Sequence, residues 1–185
     1  MSKKDIVFAY LKKKSPKLQL NHFKVIEEQA DYKTGTHHFK LIQQYKGIPI
    51  YASDITVALD KNDHVMAFFG EVLPELDDKD LNKVAVISDK EAIKITKTAI
   101  EKKIGKVKQY DGEVTAEQYI YKYEGKFYNT YLVKASTVEP KVGYWHYFVD
   151  AINGSIVVNY NAAQEVKAFD RLNSITSSSD NQVKD

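Results

Sequence analysis

The sequence predicts an α+β fold of two small modules, each with a helix packed on an antiparallel sheet. Three features predict it. Apolar residues at helical spacing open each half and then give way to period-two alternation. Short segments rich in Asp, Asn, Gly and Pro separate the alternating runs. The halves share one order, a helix followed by about four strands, and each ends in a hairpin whose turn begins with an aspartate, Asp60 or Asp150. The predicted division is a first module over 1–72, a linker over 73–87, a second module over 88–161, and a C-terminal segment with a flexible tail over 162–185.

Residues 3–14 read as the first helix. Ile6, Val7, Tyr10 and Leu11 fall at helical spacing, Ser2 can cap with Asp5 three residues on, and Lys12 to Lys14 suit the negative helix end before Pro16. From Asn21 to Gly70 the period is two, clearest where Ile55, Val57 and Leu59 alternate with Thr56 and Ala58. Asp60-Lys61-Asn62-Asp63 supplies a hairpin turn before Val65 to Phe69. Leu73 to Lys83, with Pro74, Asp77, Asp78 and Asp80, is polar and lacks a buried periodicity, which predicts a linker. Ser88 and Glu91 form a capping box ahead of the stripe Ala92, Ile93, Ile95, Thr96, Ala99, Ile100 and Ile104, and Gly105 is placed to stop that helix. Strands follow near 116–123, 127–136, 143–150 and 155–160, separated by Glu124-Gly125, Glu139-Pro140 and Asn153-Gly154. Residues 173–185 are Ser/Asn/Asp-rich and read as a tail.

Composition narrows the function. The 185 residues contain no cysteine, so disulfide staples, thiol catalysis and Cys-ligated zinc are excluded. Lys+Arg 27 against Asp+Glu 25 leaves a net charge of +2, and Arg171 is the single arginine, which argues against nucleic acid as a partner. No apolar run approaches the roughly 20 residues of a membrane-spanning helix. The charged start Met1-Ser2-Lys3-Lys4-Asp5 lacks the apolar core of a signal peptide.

No catalytic, cofactor-binding or metal-binding residue is predicted. The histidines His22, His37, His38, His64 and His146 form no His-Glu-x-x-His pattern, and adjacent His37 and His38 on a strand point to opposite faces. A composite site from His22, His38 and His64 is outweighed by ordinary structural roles. Nucleophile elbows and phosphate-binding glycine loops are missing. Aromatic residues are plentiful instead, 13 Tyr, 8 Phe and one Trp, and Tyr119, Tyr121 and Tyr123 alternate on one strand. Such rows fill half-buried sheets and can also serve as contact faces.

Asp31-Tyr32-Lys33-Thr34-Gly35-Thr36-His37-His38-Phe39-Lys40-Leu41-Ile42-Gln43-Gln44-Tyr45-Lys46-Gly47-Ile48-Pro49-Ile50 resembles the fungalysin/thermolysin propeptide (FTP) motif. Tyr144 to Gly154 resembles the end of a PepSY domain, and Ser88 to Ile93 resembles the start of its helix. In that order the two modules resemble the prosequence of thermolysin-like neutral metalloproteases of the bacillolysin type, over about residues 4 to 161. Lys40 stands where the pattern favours Arg, Ala52 where Gly is usual, and Asp63 where the hairpin turn normally has Gly.

The resemblance implies a cystatin-like/PepSY-like fold, no enzymatic activity, and a secreted zymogen segment. Such a propeptide inhibits a thermolysin-like zinc metalloprotease, in cis or in trans, and assists its folding as an intramolecular chaperone. The motif residues Asp31, Gly35, His38, Lys40, Gln43, Gly47 and Pro49, with Asp150 and Gly154, are expected to be structural. Partner contact is expected at Trp145, Asn161, Phe169 and Arg171, the last three in the stretch that a precursor would carry toward the protease cleft. The alternative is a free-standing PepSY-type module that binds peptide or cell-envelope ligands.

Overall fold

Two helices and nine strands make a sheet-rich α+β fold in the computed structural model, which describes residues 1–163 except 18, 74, 75, 77–80 and 82. The elements are α1 (Lys3–Lys14), β1 (Phe23–Asp31), β2 (Thr36–Tyr45), β3 (Ile48–Leu59), β4 (Val65–Phe69), α2 (Asp89–Ile104), β5 (Gln109–Tyr110), β6 (Thr115–Tyr123), β7 (Lys126–Glu139), β8 (Gly143–Asp150) and β9 (Ile156–Asn161). The described residues form two units, 1–84 with 118–129 and 85–117 with those from 130 on. Strands β6 and β7 therefore each contribute residues to both.

In the first unit, both halves of the Ser2 capping box form. Asp5 N–H donates to Ser2 Oγ at 3.1 Å, and Ser2 N–H donates to Asp5 Oδ2 at 2.8 Å. That satisfies two of the donors a helix start leaves without partners. The capped helix turns Val7 and Leu11 onto the inner face of the antiparallel β1–β4 meander, where Phe23, Phe39, Leu41, Ile55, Val57 and Leu59 complete the core. These residues alternate along β2 and β3, as half-buried strands require.

A second cluster in this unit draws on two residues of the expected linker. Leu76 and Leu81 are 5% and 4% exposed and pack with Ile50 and Ile120. Their spacing follows neither a helix nor a strand, so no periodicity could announce them. The expected purely antiparallel sheet also needs correction, because Ile50 of β3 pairs Ile120 of β6 in parallel, making the sheet mixed.

In the second unit, Ser88 and Glu91 close the capping box of α2, and Gly105 (φ +90°) ends it. Ala92 and Ile100 on its inner face meet Val133, Ala135, Trp145, Tyr147 and Val149 from β7 and β8. Val86 and Ile87 N–H both donate to the Ala151 carbonyl (2.8 and 3.1 Å), tying the approach to α2 to the β8–β9 turn.

Trp145, expected at a partner contact, packs inside this unit. Its indole is 2% exposed, Nε1–H donates to Thr137 Oγ1 at 2.9 Å, and Lys103 Nζ lies 5.4 Å from the ring centroid. A side chain this buried packs as a core residue. Its ring lies over Gly143, where an added Cβ would come within 2.6 Å of ring atoms. Gly143→Ala is therefore expected to displace the indole and destabilise the protein by about 1–3 kcal/mol, the usual range for overpacking. Denaturant unfolding followed by the emission of this sole tryptophan measures it, and an unchanged midpoint would contradict the packing described.

Candidate functional site

The residues of the propeptide-like motif converge on β-turns and on one buried node. Asp31 Oδ1 accepts from Lys33 N–H at 2.9 Å, and Gly35 N–H returns to the Asp31 carbonyl at 2.8 Å. Asp60 Oδ1 accepts from Asn62 and His64 N–H (2.8 and 2.9 Å). Asp150, 8% exposed, accepts from Ile152 N–H at 2.7 Å, and Gly154 N–H closes the turn on the Asp150 carbonyl at 2.9 Å. All three are Asx turns, in which a short carboxylate satisfies the backbone N–H two residues on. Gly35 and Gly154 take the positive φ (+70° and +74°) that closes the first and last.

Gln43 makes the node. It is fully buried, and its carboxamide pairs twice with Leu73, Nε2–H donating to the carbonyl at 2.9 Å and Oε1 accepting from N–H at 3.0 Å. Its own N–H donates to Ser53 Oγ at 3.0 Å, and that hydroxyl lies 2.8 Å from the Ile50 carbonyl. Here the β2–β3 register slips, from Ile42 opposite Asp54 to Gln44 opposite Pro49. The bulge forces Ala52 to φ +56°, a left-handed value, which explains why glycine is usual at this position. Asp63, the other departure, lies at φ +64°, a conformation aspartate tolerates better than most residues.

The remaining motif residues lie apart from this node. Lys46 and Gly47 (φ +49° and +84°) form the two-residue turn between β2 and β3, and Pro49 enters β3 opposite Gln44. His38 is exposed, with Nε2 3.2 Å from Thr36 Oγ1. Lys40 Nζ is 3.9 Å from Asp54 Oδ1 with both side chains largely exposed, a long ion pair of small energetic worth. His22 Nδ1 accepts from Gln19 N–H at 3.2 Å, His64 Nδ1 is 3.6 Å from Asp60 Oδ2, and no metal-binding group of side chains forms among the described residues.

Of the expected partner-contact residues, Asn161 is 6% exposed and its Oδ1 accepts from Tyr144 and Ala163 N–H (3.0 and 3.1 Å), so it staples the end of β9 rather than projecting. Phe169 and Arg171 lie outside the described residues. The tyrosine row does form a face. Tyr51 sits edge-on to Tyr119 and Tyr121 (5.6 and 5.7 Å between centroids), and Tyr121 stacks on Tyr123 at 6.4 Å. Burial, then Tyr51 and Tyr123, raise the Tyr121 phenol above its ordinary value, so it stays neutral at physiological pH. Tyr51 and Ser53 are the residues that sequence reading missed, because nothing local links them to Tyr121 or Gln43.

Two predictions follow from the node and the turns. Gln43→Ala leaves the Leu73 N–H and carbonyl without their partners and opens a cavity, so a loss of about 2–4 kcal/mol is expected in chemical denaturation. Ala52→Gly removes the left-handed penalty at a smaller unfolded-state cost, so a gain of about 0.5–1 kcal/mol is expected in the same experiment. A loss there would contradict the bulge geometry.

Asp5, Asp31, Asp60 and Glu91 all have lowered values. The leading causes are hydrogen bonds from the Ser2 hydroxyl to Asp5, the Thr34 hydroxyl to Asp31, His64 N–H to Asp60 and Ser88 N–H to Glu91. A lowered folded value adds stability above the unfolded value, and that stability is lost as pH falls through the folded one. The unfolding temperature should thus hold down to about pH 4 and fall below it. Asp60→Asn should flatten that fall in calorimetry across pH, and a profile unaltered by the substitution would remove Asp60 from the account.

Residues 21–72 match the Fungalysin/Thermolysin Propeptide Motif. Neutral protease B of Bacillus subtilis (strain 168) is 41% identical over 169 residues, which are 89% of this chain and 31% of that protein. Bacillolysin of Brevibacillus brevis is 32% identical over 170 residues, 89% of this chain and 32% of that protein. Thermolysin of Alicyclobacillus acidocaldarius is 25% identical over 169 residues, 88% and 31% of the two chains. The chain thus spans about a third of the length of these relatives. It carries the fungalysin/thermolysin propeptide motif, and about nine-tenths of it is similar to a part of the bacillolysin-type and thermolysin proteases.

Proposed function

We propose that this chain is a non-catalytic propeptide that inhibits a thermolysin-like zinc metalloprotease and assists its folding, acting outside the cell. The observation that carries the reading is the propeptide motif over 21–72 within a match that covers 89% of the chain yet only 31% of neutral protease B. In this reading the second half is a PepSY domain and each half takes a cystatin-like, helix-on-sheet form. The Ser88 capping box and the Asp150 turn support that assignment.

The physical logic is one of linkage. A partner that binds only native-like protease stabilises that state by RT ln(1 + [L]/Kd), and binding to a late intermediate lowers the barrier to reaching it. If the same contact covers the cleft, substrate is excluded. The motif residues serve this indirectly, by holding the sheet that presents the contact surface.

The test is a titration of the chain into an active bacillolysin-type protease, following hydrolysis of a small peptide, alongside refolding of the denatured protease with and without the chain. Stoichiometric loss of activity that recovers as the chain is digested, with a higher refolding yield, is the expected result. Unchanged activity and yield, with the chain cut as ordinary substrate, would replace this reading with that of a ligand-binding module.

A further inference from the structure

Helix α2 distributes its lysines unequally. Lys97 Nζ lies 5.0 Å from the centroid of the Tyr110 ring and Lys103 Nζ 5.4 Å from that of Trp145, so both cover aromatic side chains of their own unit. Lys94 and Lys102, two helical turns apart, instead line a groove of about 670 Å³. Its apolar surface comes from Ile95 and Ala99 of the helix and from Ile87 and Ile156 across from them. Ile156 is 37% exposed. The Asn153–Gly154 turn borders the groove, and a Cβ added at Gly154 would come within 3.1 Å of Ile95 Cδ1.

The charges of this groove do not cancel. Glu91 is the acidic residue of its described lining, and its carboxylate is engaged by Ser88 N–H and Oγ (2.7 and 3.0 Å). Lys94 lies near enough to Glu91 to help hold that carboxyl below its ordinary value, Lys102 has no ion-pair partner among the described residues, and the lining therefore carries two cations against one anion. Eight residues of helix place the two lysine Cα atoms about 12 Å apart. In an extended chain, residues four apart are separated by about 13 Å and point to the same side. An aliphatic floor with two cations at that spacing complements an extended segment carrying carboxylates at i and i+4 and apolar side chains between them.

We propose that this groove docks an extended acidic-aliphatic segment of the protease partner, seated on Ile87, Ile95, Ala99 and Ile156 and paired with Lys94 and Lys102. The assignment of the partner rests on the propeptide reading, while the ligand chemistry rests on the groove alone.

A fluorescein-labelled peptide Glu-Val-Ile-Val-Glu, with both ends blocked, tests the groove on the full chain by fluorescence polarisation, against Lys-Val-Ile-Val-Lys as control. The acidic probe is expected to bind, the basic one not, and added salt to weaken binding. Lys94→Glu with Lys102→Glu is expected to weaken it at least about tenfold, a difference of about 1.4 kcal/mol. Should that pair alter thermal unfolding, Lys94→Gln with Lys102→Gln gives the same comparison without charge reversal. Equal binding of both probes, or none of the acidic probe at about 1 mM, overturns the proposal.

A photoreactive amino acid in place of Thr98 identifies the occupant. Crosslinking to added protease supports the assignment, whereas crosslinking to residues 164–185 of the same chain or to a second copy overturns it. Inhibition of the protease unaffected by the Lys94 and Lys102 substitutions would overturn the groove and leave the propeptide reading standing. Probe binding without any inhibition would overturn the propeptide reading, and the partner assignment with it.

Discussion

A buried carboxamide has to be satisfied from inside the protein, and the first unit is organised around how Gln43 meets that demand. Its two side-chain bonds reproduce a rung of β-ladder with Leu73, although residues 71–73 belong to no strand. Each unmade bond at such a site costs about 1–3 kcal/mol, so the chain after β4 is held where Leu73 can make both. That placement delivers the following residues to the cluster in which Leu76 and Leu81 are buried with Ile50 and Ile120. The bulge opposite Gln43 is the other half of the arrangement. Without the residues looped between Ile50 and Ser53, the hydroxyl of Ser53 could not reach the Gln43 backbone.

The aspartate turns apply the same principle at the surface. Asp31, Asp60 and Asp150 each replace a missing backbone partner with a carboxylate oxygen, fixing the register of the hairpin that follows. Register matters because a slip by one residue would turn Phe39, Leu41, Ile55 and Val57 out of the core together. The pattern Asp, Gly, Gln, Gly, Pro is therefore intelligible as geometry. Two aspects of it, the Gly35 turn and the Gln43 node, act on opposite ends of β2 and together leave that strand one pairing.

Features decided within a few residues of sequence were legible. Both capping boxes, the limits of α1 and α2, the hairpins at Asp60 and Asp150 and the alternation of the core strands follow from contacts three or four residues apart or from period two. Features decided by distant partners were not. Nothing near Leu76 reveals that Ile120 will meet it, and nothing near Ile50 signals a parallel neighbour. Trp145 reads as an anchor by type, yet Gly143 two residues before it leaves the space its indole fills and Thr137 supplies the acceptor its N–H needs. Asn161 likewise reads as a polar residue beside a tail, but its carbonyl oxygen serves two backbone donors.

Gln43, Asp150, Trp145 and Asn161 are occupied by bonds and packing within the protein, whereas other surfaces are open to solvent. Contacts that combine modest apolar area with screened charge dissociate more readily than a large dry interface. The outer side of α2 has that character. Its inner residues, Ala92, Thr96 and Ile100, are fully buried, and two of its lysines lie over aromatic rings of its own unit. Lys94 and Lys102 lie beside exposed aliphatic surface, where their charge adds nothing to the core packing that α2 provides. On the docking proposed for this groove, recognition falls to residues of α2 that lie outside its buried face, Lys102 above all.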